Sequence, residues 1–201
     1  MPRERTGVAA AAFYESRNVD EHVAVIGKYV EKSLKDPETI KLARKIVTGR
    51  FDYRRDPKTG DKVAVVEAWG QFYRAPPGEA CPARDGECEI TRIWDFLVLN
   101  MRYTFDPQET DTFSTLKESL ESGGGDCDDS CIAFCVLLKA IGFKVVARVI
   151  STTGKNWEHI YALVGLPHDP PKRWISLDPT VKDHHPGSEF KPYKSKRDFL
   201  L

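Results

Sequence analysis

The segment DCDDSCIAFCVLLKAI (126–141) admits few folds. It opens on acids, turns apolar, and is bracketed by Gly123, Gly124 and Gly125 on one side and Gly142 on the other. The pattern predicts one helix with carboxylates in its first turn and a glycine stop at its end. A helix this apolar has to be covered. Three strand-like segments follow it directly: FKVVARVIST (143–152), NWEHIYALVG (156–165) and KRWISLDPT (172–180), the last stopped at Pro179.

Upstream, NVDEHVAVIGKYVEKSLKD (18–36) carries Val23, Val25, Ile26, Val30 and Leu34 at helical spacing, with Asp20 as its expected cap. DPETIKLARKIVTG (36–49) reads as a second helix, proline first and glycine last. FDYRRDPKTGDK reads as a polar turn, KVAVVEAWGQFY (62–73) fits helix or strand equally, and residues 74–87 form a loop by their prolines and glycines. ECEITRIWDFLVLNMRY (87–103) is an amphipathic helix with Ile90, Ile93, Trp94, Leu97 and Met101 on one face, and FSTLKESLESGGG a short helix ended by glycines. The tail KDHHPGSEFKPYKSKRDFLL reads as polar and irregular. Helices, then one buried helix, then an antiparallel sheet make an α+β layout. Residues 1–86 are expected to form an N-terminal helical extension and loop packed on a core of 87–201, which ends in the polar tail.

The 201 residues are enough for one domain with a real core. Thirty basic residues balance thirty acidic ones, which leaves no electrostatic case for nucleic acid or an anionic membrane as partner. No apolar run approaches the roughly 18 residues of a membrane span. The start, MPRERTGVAAAAFYESR, falls short of a signal peptide and reads as a helical or frayed lead-in, so the expected location is the cytoplasm or a virion. Of the five cysteines, Cys81 and Cys88 can bridge in an oxidising compartment and stay free in a reducing one.

Cys127 follows the glycine run at the helix start, where the dipole and unpaired N–H groups favour a thiolate while Asp128 and Asp129 oppose it. A reactive thiol there needs a base. Of five histidines, His22 sits in a charged helix, His168 in a proline-rich turn, and His184 and His185 in the polar tail. His159 lies in a strand, sharing a face with Trp157, Tyr161 and Leu163. If 156–165 and 172–180 form a hairpin closed at Gly165 and Lys172, His159 stands opposite Asp178, close enough for the carboxylate to accept the imidazole N–H. Trp157, beside the histidine, either walls a cleft or packs in the core.

GGGDCDDSCIAFCVLLKAIGFKVVARVI, NWEHIYALV and WISLDPT, in that order and spacing, resemble the transglutaminase-like superfamily of cysteine enzymes in its bacterial and phage-encoded branch. IWDFLVLNMRYTFDPQETDTFSTLKESL fits the segment that precedes that cysteine, so the resemblance covers roughly 87–181. It implies a papain-like fold and a triad of Cys127 as nucleophile, His159 as base and Asp178 as orienter. The reaction implied is acyl transfer on amide bonds of a protein or peptide, by hydrolysis or crosslinking, with no cofactor required and with a phage or prophage gene as its source. The Cys127 N–H is a natural oxyanion donor, and the resemblance adds Tyr103. Some bacterial relatives depend on calcium, which makes Asp126, Asp128 and Asp129 candidate ligands beside their ordinary role as caps. A cysteine metal site built on Cys127, Cys131 and Cys135 matches no usual ligand spacing. The competing functional class is a transglutaminase-like module that binds without catalysing.

Overall fold

A computed structural model of the chain describes residues 18–104, 112–180 and 185–201. The expected lead-in at 1–17 and His184 lie outside these residues. Among the described residues the fold begins with α1 (Val19–Leu34) and α2 (Pro37–Thr48). Asn18, not Asp20, caps α1, and Asp20 instead pairs with Arg197. Asp36 caps α2 and Gly49 ends it in a left-handed conformation, as the proline-first, glycine-last pattern predicts.

Residues 52–74 differ from the sequence expectation. They form an antiparallel sheet of β1 (Asp52–Arg55), β2 (Lys62–Ala68) and β3 (Gln71–Arg74). The supposed polar turn is partly a strand because DYRR is an edge strand, exposed at all four positions and so without apolar alternation. KVAVVEA is resolved as a strand by the Trp69-Gly70 turn that folds β3 back on it. The N-terminal part is therefore not wholly helical.

Helix α3 (Gly86–Asn100) and the short strand β4 (Arg102–Tyr103) lead to α4 (Leu116–Ser122), which a Thr115–Glu118 capping box opens and Gly123 closes. Two-residue β5 (Gly124–Gly125) pairs in parallel with β4, and α5 (Cys127–Ala140) begins one residue later. Then β6 (Val145–Ser151), β7 (His159–Leu166), β8 (Arg173–Leu177) and β9 (Ser195–Leu200) make an antiparallel sheet in the order β8-β7-β6-β9. The α+β layout holds, with α5 buried between this sheet and α1 to α4.

Strand β9 corrects the reading of the tail as irregular. Its charged side chains hide it from a periodicity test, yet charge on an edge strand is how sheets avoid further pairing. Arg148 of β6 anchors it through a two-pronged ion pair with Asp198, 2.7 Å on each arm. The same guanidinium reaches Glu189, and residues 185–194 lie over the outer sheet face, where Phe190 and Tyr193 cover Val146, Ile150, Tyr161 and Leu163. The inner face belongs to one large apolar cluster that joins α1, α2, α3, α5 and the sheet.

Candidate active site

Close contacts that only glycine permits build the α4–α5 junction. A Cβ on Gly124 would stand 2.8 Å from the Arg102 carbonyl oxygen, and one on Gly125 would stand 2.5 Å from Asp129 Cβ. Pairing of Gly124 with Arg102 and Gly125 with Tyr103 sets Tyr103 beside the start of α5. There Asp126 accepts hydrogen bonds from the Asp128 and Asp129 N–H groups, a helix cap of the usual kind.

Cys127 is the first residue of α5 and is 5% exposed. Burial pushes its thiol well up, and the carboxylates of Asp128, Asp126 and Asp178 add to that, while the Ile160 N–H facing the sulfur works the other way. The opposing acids are not screened by solvent: Asp126, Asp128 and Asp129 are all buried.

His159 is the first residue of β7 rather than an interior one. Its Nε2–H donates to Asp178 Oδ2 at 2.7 Å, and its ring lies against Tyr161 and Phe190, at 5.8 and 5.6 Å between centroids. Thr180 holds the other Asp178 oxygen through its hydroxyl at 2.7 Å and its N–H at 3.2 Å. Burial alone would raise the Asp178 carboxyl, but these hydrogen bonds and the His159 ring keep it below its ordinary value. The hairpin register differs from the expected one by two residues. Gly165 pairs with Trp174, not Lys172, and Ala162 with Leu177. A shift of two preserves which face each side chain takes, so Asp178 still meets His159, diagonally rather than directly opposite.

Tyr103 is 41% exposed as a residue, yet enclosure of its phenol and the charges of Cys127, Asp126, Asp128 and Asp178 push its hydroxyl far above the ordinary range. It stays a proton donor at any working pH. Trp157 precedes β7, so period-two reasoning does not reach it. It is half-buried against the main core, while Tyr161 and Leu163 belong to the outer cluster.

The acidic run does not converge on a common point. Asp126 caps α5, Asp128 Oδ1 accepts from His22 Nε2 at 3.1 Å, and Asp129 Oδ1 accepts from the Ser114 N–H at 2.8 Å. Among the described residues, no group of three or more His, Cys, Asp and Glu side chains is placed to hold a metal ion. The cysteines form no such group either: Cys81 is bridged to Cys88, and Cys131 meets Cys135 inside buried α5.

Two participants escape the sequence reading. His22 is fully buried on α1, its ring tilted against Phe113 at 5.0 Å between centroids. Its place between Val19, Val23 and Ile26 puts it on the apolar stripe, a signal that the surrounding charges mask. Thr180, two residues after Asp178, is the other, and the short DPT sequence is a usual setting for such a local hydrogen bond.

No curated protein matches the chain. Among solved structures, Legionella pneumophila LapG (EGTA-treated) is similar over 83% of this chain and 67% of that one, at 17% identity and a TM-score of 0.29. A family model described as the transglutaminase-like superfamily matches residues 79–179, half of the sequence and the part that holds β4, β5, α5, β7 and β8. The chain belongs to the transglutaminase-like superfamily.

Proposed function

We propose that this chain is a cysteine hydrolase that cleaves amide bonds in a protein or peptide through Cys127, His159 and Asp178. The observation that carries the reading is the 2.7 Å hydrogen bond from His159 Nε2 to a buried Asp178, made one residue from the Ile160 N–H that faces the Cys127 sulfur. With Nε2 committed to Asp178, Nδ1 of the neutral ring is the acceptor for the thiol proton. Sγ attacks the carbonyl carbon as His159 takes that proton. The ring then gives it to the leaving nitrogen, the C–N bond breaks, and an acyl thioester and a free amine result. Water, deprotonated by His159, attacks the thioester and releases a carboxylic acid and the thiol. The Cys127 N–H and the Tyr103 hydroxyl serve the oxyanion. Water is the default acceptor, which is why hydrolysis is preferred to crosslinking.

Burial and the neighbouring carboxylates favour the thiol form of Cys127, so attack needs His159 as base. The same observation favours the second reading, a silent binding module. Alkylation by iodoacetamide across pH, with mass-spectrometric mapping, separates the two. On the hydrolase reading Cys127 reacts below pH 8 and loses that reactivity in His159→Ala, and the rate is the same with EGTA. Equal, slow reaction in both proteins would leave the binding module. No helix among the described residues is long and apolar enough to cross a membrane. The Cys81–Cys88 bridge suits an oxidising setting, and of the two expected locations it supports a virion, phage-borne or otherwise, over the cytoplasm.

A further inference from the structure

Beside the triad lies a pocket of about 60 Å³ with Val98 and Met101 of the α3 end, Tyr103, Ser130, Phe134 and Thr180 among its walls. Three features tie it to the chemistry. Cys127, Ser130 and Phe134 follow one another at helical spacing on one face of α5, so the floor continues from the nucleophile. Thr180 touches both His159, at 3.4 Å, and Asp178. Tyr103 pairs with Gly125, two residues before Cys127.

The chemistry of the pocket is selective. Leu97, Val98, Met101, Phe134 and Pro179 give it apolar walls. Phe134, buried and stacked on Trp94 at 5.5 Å, makes the floor apolar apart from Ser130. Burying a lysine or carboxylate head there is strongly unfavourable. Arg102 stands at the rim, where it meets the substrate backbone or solvent rather than the inserted side chain.

The geometry points to an apolar specificity pocket: the substrate presents an uncharged, apolar side chain next to the amide that Cys127 attacks. This rests on Cys127 being the nucleophile. Val98 is 48% exposed and belongs to the rim, so its replacement alters the pocket without opening the core.

The test uses N-substituted iodoacetamides bearing isobutyl, carboxymethyl or aminobutyl groups, with Cys127 labelling rates read by mass spectrometry on the full chain. The isobutyl reagent is expected to label Cys127 about 10-fold or more faster than the two charged ones. Val98→Trp, which fills the pocket from its rim, should bring that preference to within about 2-fold of none. Equal rates across the series, or a preference unmoved by Val98→Trp, overturns the pocket while a His159-dependent Cys127 keeps the hydrolase reading. A Cys127 that no reagent labels, or that reacts alike with and without His159, overturns both.

Discussion

A buried carboxylate resists ionisation, and Asp178 stays ionised because His159 and Thr180 both donate to it. Its pKa in the folded protein is therefore below the ordinary 3.8, and the sign of the pH effect follows. The stabilisation is fully present above the unfolded value and is lost as pH falls through the folded one. Chemical denaturation between pH 2 and about 5 should show that slope in the wild type and a shallower one in Asp178→Asn. The same variant presents an amide where His159 needs a charge, and turnover should fall by about 10³–10⁴-fold. His22 and Asp128 form a hydrogen bond that is buried at both ends. His22→Leu leaves the Asp128 acceptor facing apolar surface and should cost about 1–3 kcal/mol. It should also slow Cys127 alkylation near neutral pH, because Asp128 opposes the thiolate more than any other carboxylate. His22→Gln, which keeps a donor, should recover most of the stability. Denaturant melts and alkylation profiles read the two effects separately.

At the scale of elements, the α4–α5 junction is the most demanding piece of chain. Gly125→Ala forces a Cβ to 2.5 Å from Asp129 Cβ, and Asp129 cannot yield freely because it also holds the Ser114 N–H. The expected cost is about 1–3 kcal/mol, seen as a lower melting temperature and a loss of His159-dependent labelling as Tyr103 and Cys127 part. This junction was readable in advance, since glycines before an acid-led apolar helix have few other uses. The His159–Asp178 contact was readable for a subtler reason. Strand alternation makes an error of two residues harmless to facing, and the assumed hairpin erred by that amount. What resisted reading was structure without apolar contrast. β1 and β9 are edge strands clothed in charge, and His22 is a buried polar residue whose sequence neighbours Asp20 and Glu21 announce a surface. Periodicity sees burial only when polarity follows it.

At the scale of the molecule, the recognised part and the folding part do not have the same limits. The family match begins at residue 79, and the sequence alone suggests that residues 1–86 are an extension packed on a core of 87–201. Yet α1 and α2 insert Val23, Ile26, Val30, Leu42 and Ile46, each essentially inaccessible, into the cluster that contains Ile132, Phe134 and Leu138 of α5. Burying one such side chain is worth about 1.5–3 kcal/mol, and a whole domain of this size has a net stability of about 5–15 kcal/mol. Removing the two helices therefore takes away contacts of the order of the entire margin, and strips the far side of α5 as well as the His22 contact to Asp128. A fragment of residues 79–201 should keep far-ultraviolet helix signal but lose near-ultraviolet dichroism and bind ANS, the signature of a collapsed chain without fixed packing. Cooperative unfolding of that fragment with a native near-ultraviolet spectrum would show instead that α1, α2 and the β1–β3 sheet are appended. In that case the position of Cys127 would rest on the glycine junction and the sheet alone.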